Sequence, residues 1–259
     1  MRAAVRRPVK ATPPPEELDY VFVVTYGRSG STLLQGLVNS LPGTLMRGEN
    51  GFYVLSLYRA MSEALRFKEA HAQHGVRRAS SAFYGLAGVE RDAFVRSARD
   101  LVVGQLIGPR KRPRLRRLGF KEVLWHRIEP DETEGFFGWF DEVFPGARYL
   151  LNTREHAQVA ASGFWKNVEE EEVARALARV EEIQAFLRET RPDRVYDVRY
   201  EHLTDPDEAV SGPELEGLAR FVTGRSTPRM MATFRETLGE GHGPHPFKAS
   251  GVAPGRADG

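Results

Sequence analysis

The sequence predicts an α/β protein, a single domain built on a doubly wound, mostly parallel sheet. Three observations carry that expectation. Short apolar, β-branched runs recur along the chain (Tyr20 to Thr25, LGFKEV from Leu118, Ala147 to Asn152, Arg194 to Val198), the pattern of strands covered on both faces. Between them lie longer stretches whose apolar residues recur at helical spacing. At 259 residues, with 41% hydrophobic and 28% charged residues, the chain can bury one sizeable core. Strands alternating with helices are the mark of parallel crossover units.

The elements follow in order. Residues 1–19 (MRAAVRRPVKATPPPEELD) read as a flexible arm ending in a proline run, and residues 20–240 as the domain itself. After the first strand and a tight turn, Thr32 to Leu41 places Leu33, Leu34, Leu37, Val38 and Leu41 at helical spacing and stops at Pro42-Gly43. Residues 51–69 read as a helix, and His71 to Ser81 (HAQHGVRRASS) as a polar, aperiodic mobile loop. Asp92 to Ile107 is a further helix; the basic loop GPRKRPRLRR (108–117) then leads into the strand that ends near Lys121. Helix Asp131 to Phe144 precedes the strand ARYLLN, which runs into Arg154 and the helical stretch EHAQVAASGFW. An amphipathic helix from Glu170 to Glu189 aligns Val173, Leu177, Val180, Ile183 and Leu187 on one face. After the strand RVYDV come helices near 213–223 and 228–238, and residues 241–259 form a Gly/Pro-rich tail, a loop or ordered flap.

Composition excludes several functions. With no cysteine there is no disulfide, cysteine zinc ligand or thiol nucleophile. No apolar run reaches the roughly 20 residues of a membrane span, and the basic, proline-bearing N-terminus lacks the apolar core of a signal peptide, so a cytoplasmic address is expected. The net charge of +2 identifies no partner. The 108–117 loop lacks interleaved aromatics and is broken by two prolines, so it reads as a solvated loop or an anionic acceptor site and not as a nucleic-acid surface.

The chemistry concentrates in Tyr26–Leu34, YGRSGSTLL. In parallel sheets ligands bind beyond the carboxyl ends of the strands, and the helix N-terminus after the first strand offers unpaired N–H groups to an anion. Gly27 and Gly30 let the backbone approach a ligand, Ser29, Ser31 and Thr32 add hydroxyl donors, and Arg28 adds a fork suited to phosphate-like oxygens. The nucleoside-triphosphate loop G-x-x-x-x-G-K-[ST] requires a lysine where Gly30 stands, and the hydrolase elbow G-x-S-x-G requires a glycine where Ser31 stands.

GRSGSTLL instead resembles the 5′-phosphosulfate loop of sulfotransferases that use 3′-phosphoadenosine 5′-phosphosulfate (PAPS). The resemblance extends from about Tyr20 to Val222. In that family a later strand runs into an arginine, with a serine eight residues on, and the two hold the cofactor's 3′-phosphate; here YLLN runs into Arg154, and Ser162 follows at that spacing. The segment VYDVRYEHLTDP is similar to a late strand of the family and implies that Tyr200 lies near the adenosine. The resemblance implies a single α/β domain related to nucleotide kinases, PAPS as sulfuryl donor, a hydroxyl acceptor on a carbohydrate or secondary metabolite, and no metal.

Further roles follow from the resemblance. Several carbohydrate sulfotransferases place a catalytic glutamate after the first helix, which points to Glu49 in RGENGF as the base; an ion pair to Arg47, two residues away, would blunt it. Lys121 in GFKE takes the place of a second cation at the transferring group. Glu122 and His126 are alternative bases, although the step from Lys121 to His126 is longer than in the aryl and steroid enzymes that use a histidine. Trp165 and Lys166 line the cofactor or serve as ordinary core and surface residues, and Lys248 is placed to close over the 3′-phosphate. Two other readings stay open: a small-molecule phosphotransferase of nucleotide-kinase fold, against which the missing loop lysine counts, and a nucleotide-binding module without turnover.

Overall fold

The first apolar run forms β1 (Asp19–Val24), and its residues from Tyr20 onward are buried without alternation because both faces of the strand are covered. In this computed structural model, which describes residues 11–160, 165 and 168–239, Tyr20, Phe22 and Val24 point into one apolar cluster and Val21 and Val23 into another. The chain continues through α1 (Ser31–Ser40), β2 (Thr44–Arg47), α2 (Tyr53–Ala70), α3 (Arg91–Ile107), β3 (Arg117–Glu122), α4 (Thr133–Val143) and β4 (Arg148–Thr153). It then forms α5 (His156–Ala160), α6 (Glu170–Thr190), β5 (Val195–Arg199), α7 (Tyr200–Leu203), α8 (Glu208–Thr223) and α9 (Pro228–Gly239). The five strands are all parallel, in the order β2-β3-β1-β4-β5. This is the expected doubly wound α/β domain.

The two clusters explain why the sheet stays closed on both sides. On one face Phe22 meets Phe120, Phe140 and Phe144 with ring centroids 4.8, 4.7 and 4.9 Å apart, and α2, α3, α4 and α6 add Val54, Val102, Trp139 and Ile183. On the other, Leu34, Leu37 and Val38 of α1 pack with Leu218 of α8 and Phe234 of α9. Each such side chain removed from water stabilises the fold by about 1.5–3 kcal/mol before entropy is counted. Gly119 of β3 is required by the pairing itself, because a Cβ there would lie 1.6 Å from the carbonyl oxygen of Val21.

Four local readings change. β2 was not expected from TLMR, which is too short to carry a periodic signal; it exists because Thr44–Arg47 pairs in register with Arg117–Phe120 of β3. The strand read at 194–198 runs Val195–Arg199 and is not covered: it closes one edge of the sheet, and only Val198 in it is buried. The helix read from residue 213 begins at Glu208, where Asp207 accepts the Ala209 N–H at 2.9 Å. Pro213 lies inside it and is not its first residue. The stretch from Asp131 opens as a 3-10 turn, Pro130–Glu132, before α4 begins.

Candidate active site

The loop after β1 is held from beneath by a buried hydroxyl–amide network. Thr25 Oγ1 donates to Ser29 Oγ at 2.7 Å and to the Asn152 carbonyl at 2.9 Å, and Ser29 Oγ donates to Asn152 Oδ1 at 3.1 Å. The Ser29 side chain therefore shapes the loop from below. Gln184, fully buried on α6, donates to the Val24 carbonyl at 2.9 Å, and Trp165 Nε1 donates to the Gly27 carbonyl at 3.0 Å. Above this support Arg28 is exposed with φ +69°, and Gly30 caps α1 with φ +78°. Left-handed backbone at a non-glycine residue costs about 1–3 kcal/mol and persists where surrounding contacts enforce it. Ser31 and exposed Thr32 open the helix, so the N-terminal N–H groups of α1 lie beside the guanidinium-bearing loop.

The end of β4 is clamped to this loop. The Tyr26 hydroxyl donates to the Arg154 carbonyl and accepts from the Arg154 N–H, both at 2.9 Å. The Arg154 guanidinium donates to the Arg28 carbonyl at 3.3 Å and to Gln158 Oε1 at 2.9 Å, and it lies 4.3 Å above the Tyr200 ring. Tyr200 in turn covers Gly30: a Cβ on Gly30 would fall 2.0 Å from the ring. Arg28, Gly30, Arg154 and Tyr200, chosen from three separate stretches of sequence, thus meet at the carboxyl ends of β1, β4 and β5. Ser162, Lys166 and Lys248 lie outside the described residues.

On the other side of β1, Glu49 and Lys121 form an ion pair through Glu49 Oε1. The lysine is only 5% exposed and the glutamate 51%. Arg47 is not the partner of Glu49: its guanidinium donates to the carbonyls of Leu106 and Ile107 at 2.6 and 3.4 Å, where it caps the end of α3. Glu122 is fully buried and accepts four backbone N–H groups, from Asn50, Phe52, Val123 and Leu124, at 2.9–3.2 Å. All its strong acceptor directions are engaged, so it fixes the Glu49 loop to the end of β3 and offers no lone pair to a substrate. It also holds Phe52, whose φ of +55° is otherwise unfavourable. His126 sits in a turn against α6, and burial pushes its pKa down.

Trp165 is a buried support residue. The basic loop 108–117 starts beside Arg47 and runs back past Gly43 to the amino end of β3, where its basic residues line a cavity with Gly43 and Thr44. Tyr26, Asn152 and Gln184 were not singled out by sequence reasoning. Asn152, a polar residue ending the apolar run YLLN, was the one available signal. Among the described residues no group of His, Asp and Glu is arranged to hold a metal ion, and no helix is long and apolar enough to cross a membrane.

The arrangement offers an anion site of amides and two arginines, an aromatic wall, and a carboxylate–ammonium pair at one sheet edge. A model of the sulfotransferase family matches residues 20–212. No curated protein matches the chain.

Proposed function

The chain belongs to the sulfotransferase family and is a transferase; from that premise we propose that it moves a sulfuryl group from PAPS to a hydroxyl on a carbohydrate or other small-molecule acceptor. The observation that carries this reading is the meeting of Arg154 with the Arg28 loop and Tyr200. Two arginines from different strand ends, brought to one cleft, suit a nucleotide carrying phosphate-like groups at both its 5′ and 3′ positions, and Tyr200 adds a ring face for its nucleoside. The donor set fits PAPS: Arg28 and the amides of residues 29–32 would hold the 5′ end, and Arg154 the 3′-phosphate, with Ser162 as its proposed companion. A cavity of about 310 Å³ between Leu33, Tyr200 and Leu203 adds room beside the same ring.

When bound, PAPS supplies the sulfuryl group and a bisphosphate leaving group. The protein's own residues do the remaining work. Glu49, half-exposed, takes the acceptor hydroxyl's proton, which turns the oxygen into a nucleophile. Protonation of Glu49 releases the buried Lys121 ammonium from its partner, so that its charge faces the oxygens on which negative charge collects. Arg28 and the α1 N-terminus stabilise charge growing on the leaving phosphate.

Calorimetry without magnesium, comparing 3′-phosphoadenosine 5′-phosphate with ATP, tests the reading. Binding of the bisphosphate in strong preference to ATP is expected, with Arg154→Ala weakening the bisphosphate by about 10-fold or more while leaving adenosine 5′-phosphosulfate nearly unaffected. Preference for ATP, or equal loss of both ligands in Arg154→Ala, overturns it.

A further inference from the structure

A cavity of about 780 Å³ opens at the amino ends of the strands, away from the Arg28 loop. Its wall carries Arg110, Lys111, Arg112 and Arg114 from the loop before β3, and Arg225 and Arg229 from the entry to α9. Among the described residues no aspartate or glutamate lines it. Among the described residues none of these six side chains has a carboxylate within ion-pair distance. In a chain whose net charge is only +2, this places one sign of charge, unneutralised, around one concavity. Such a cleft concentrates field lines and draws in anions.

Three details say that the surface is built and not merely basic. Thr44, only 6% exposed, lines the cavity with a buried hydroxyl that has no hydrogen-bond partner. Arg112 is anchored, donating from its backbone N–H to Thr12 Oγ1 at 2.8 Å and from its side chain to the Ile107 carbonyl at 3.1 Å. Its pKa is pushed down by burial and by the neighbouring Arg47 and Arg110, a cost that a bound anion would relieve. Leu45, Leu115 and Met230 supply an apolar floor, and the volume lies within the range of small-molecule sites.

We infer that this cavity is a second binding site, separate from the transfer site, for a compact polyanion bearing several phosphate or sulfate esters on a small ring. Forked guanidiniums from two separate segments of the chain suit several closely spaced tetrahedral anions better than a single carboxylate. The site opens at the start of β3, and Lys121 lies four residues on from Arg117, ~13 Å along the strand at ~3.3 Å per residue. The inference does not depend on the donor proposed above.

Calorimetry on the full chain with inositol hexakisphosphate and with sucrose octasulfate, in about 50 mM salt where charge contacts are weakly screened, tests it. One-to-one binding of at least one probe is expected, and the stronger probe identifies the ester. The double variant Arg225→Ala/Arg229→Ala, and independently Arg110→Ala/Arg114→Ala, should each weaken that probe by about 10-fold or more. A control on exposed arginines elsewhere, Arg66→Ala/Arg175→Ala, should stay within about twofold. Arg28→Ala/Arg154→Ala should retain the binding. Loss in Arg28→Ala/Arg154→Ala would assign the polyanion to the transfer site. Equal weakening in the control would reduce it to general charge attraction, and absence of binding by the unmodified chain to both probes would remove the site. Each of these three results overturns the inference.

Discussion

Lys121 is buried at the end of β3, yet its ammonium reaches the half-exposed carboxylate of Glu49 from the loop after β2, 72 residues away in sequence. The asymmetry fits the proposed division of labour. The exposed partner can meet an acceptor, while the buried one stays where a low dielectric strengthens its charge.

Glu49→Gln keeps the shape of that pair and removes the proposed base. It should lower turnover about 10²–10⁴-fold while 3′-phosphoadenosine 5′-phosphate binds within about twofold of the unmodified protein. Lys121→Met should also lower turnover, by about 10²–10³-fold. Steady-state release of the bisphosphate, set beside calorimetry, checks both. A Glu49→Gln protein with full turnover would remove Glu49 as the base.

Gly30 serves two needs, a φ of +78° and space for the Tyr200 ring. Gly30→Ala should therefore weaken the bisphosphate by about 10-fold or more. Adding Tyr200→Ala relieves the clash but not the backbone cost of about 1–2 kcal/mol, so the double variant should not recover full affinity even after allowance for the lost ring. Full recovery would mean that the left-handed turn is unnecessary.

Glu122→Gln replaces one acceptor oxygen by an amide NH₂ that must face two backbone N–H donors. Because both oxygens are in use, flipping the amide does not help. The expected loss is about 2–4 kcal/mol of stability, read from the midpoint of urea unfolding. A change below ~0.5 kcal/mol would show that the four bonds do not fix the Glu49 loop.

His126 has its pKa lowered chiefly by burial, so the folded state binds its proton less readily than the unfolded chain. Its contribution to stability is present above the unfolded value of about 6.5 and is lost as pH falls through the window beneath it. Melting temperatures of the unmodified protein and His126→Gln from pH 8 to pH 5 check the sign. The advantage of histidine should shrink below about pH 6.5; a constant difference would contradict the assignment.

By itself the sequence determined what local pattern can encode. Covered strands show in their unalternating apolar runs, the turn after β1 in its glycines and hydroxyls, and Arg154 in its place at a strand's end. These depend on neighbours a few residues apart. Tertiary structure decided the rest. TLMR became a strand only because β3 offered its edge. Glu49 exchanged its near neighbour Arg47 for Lys121, since the parallel order sets the ends of β2 and β3 side by side while Arg47 turns to the end of α3. Glu122, chemically a fair base, was consumed by four backbone donors, and the basic loop fell at the amino end of β3 because it leads into β3 and does not follow it. Strand order brings together groups that lie tens of residues apart, and side-chain pairing across such distances leaves no periodic trace in a single sequence.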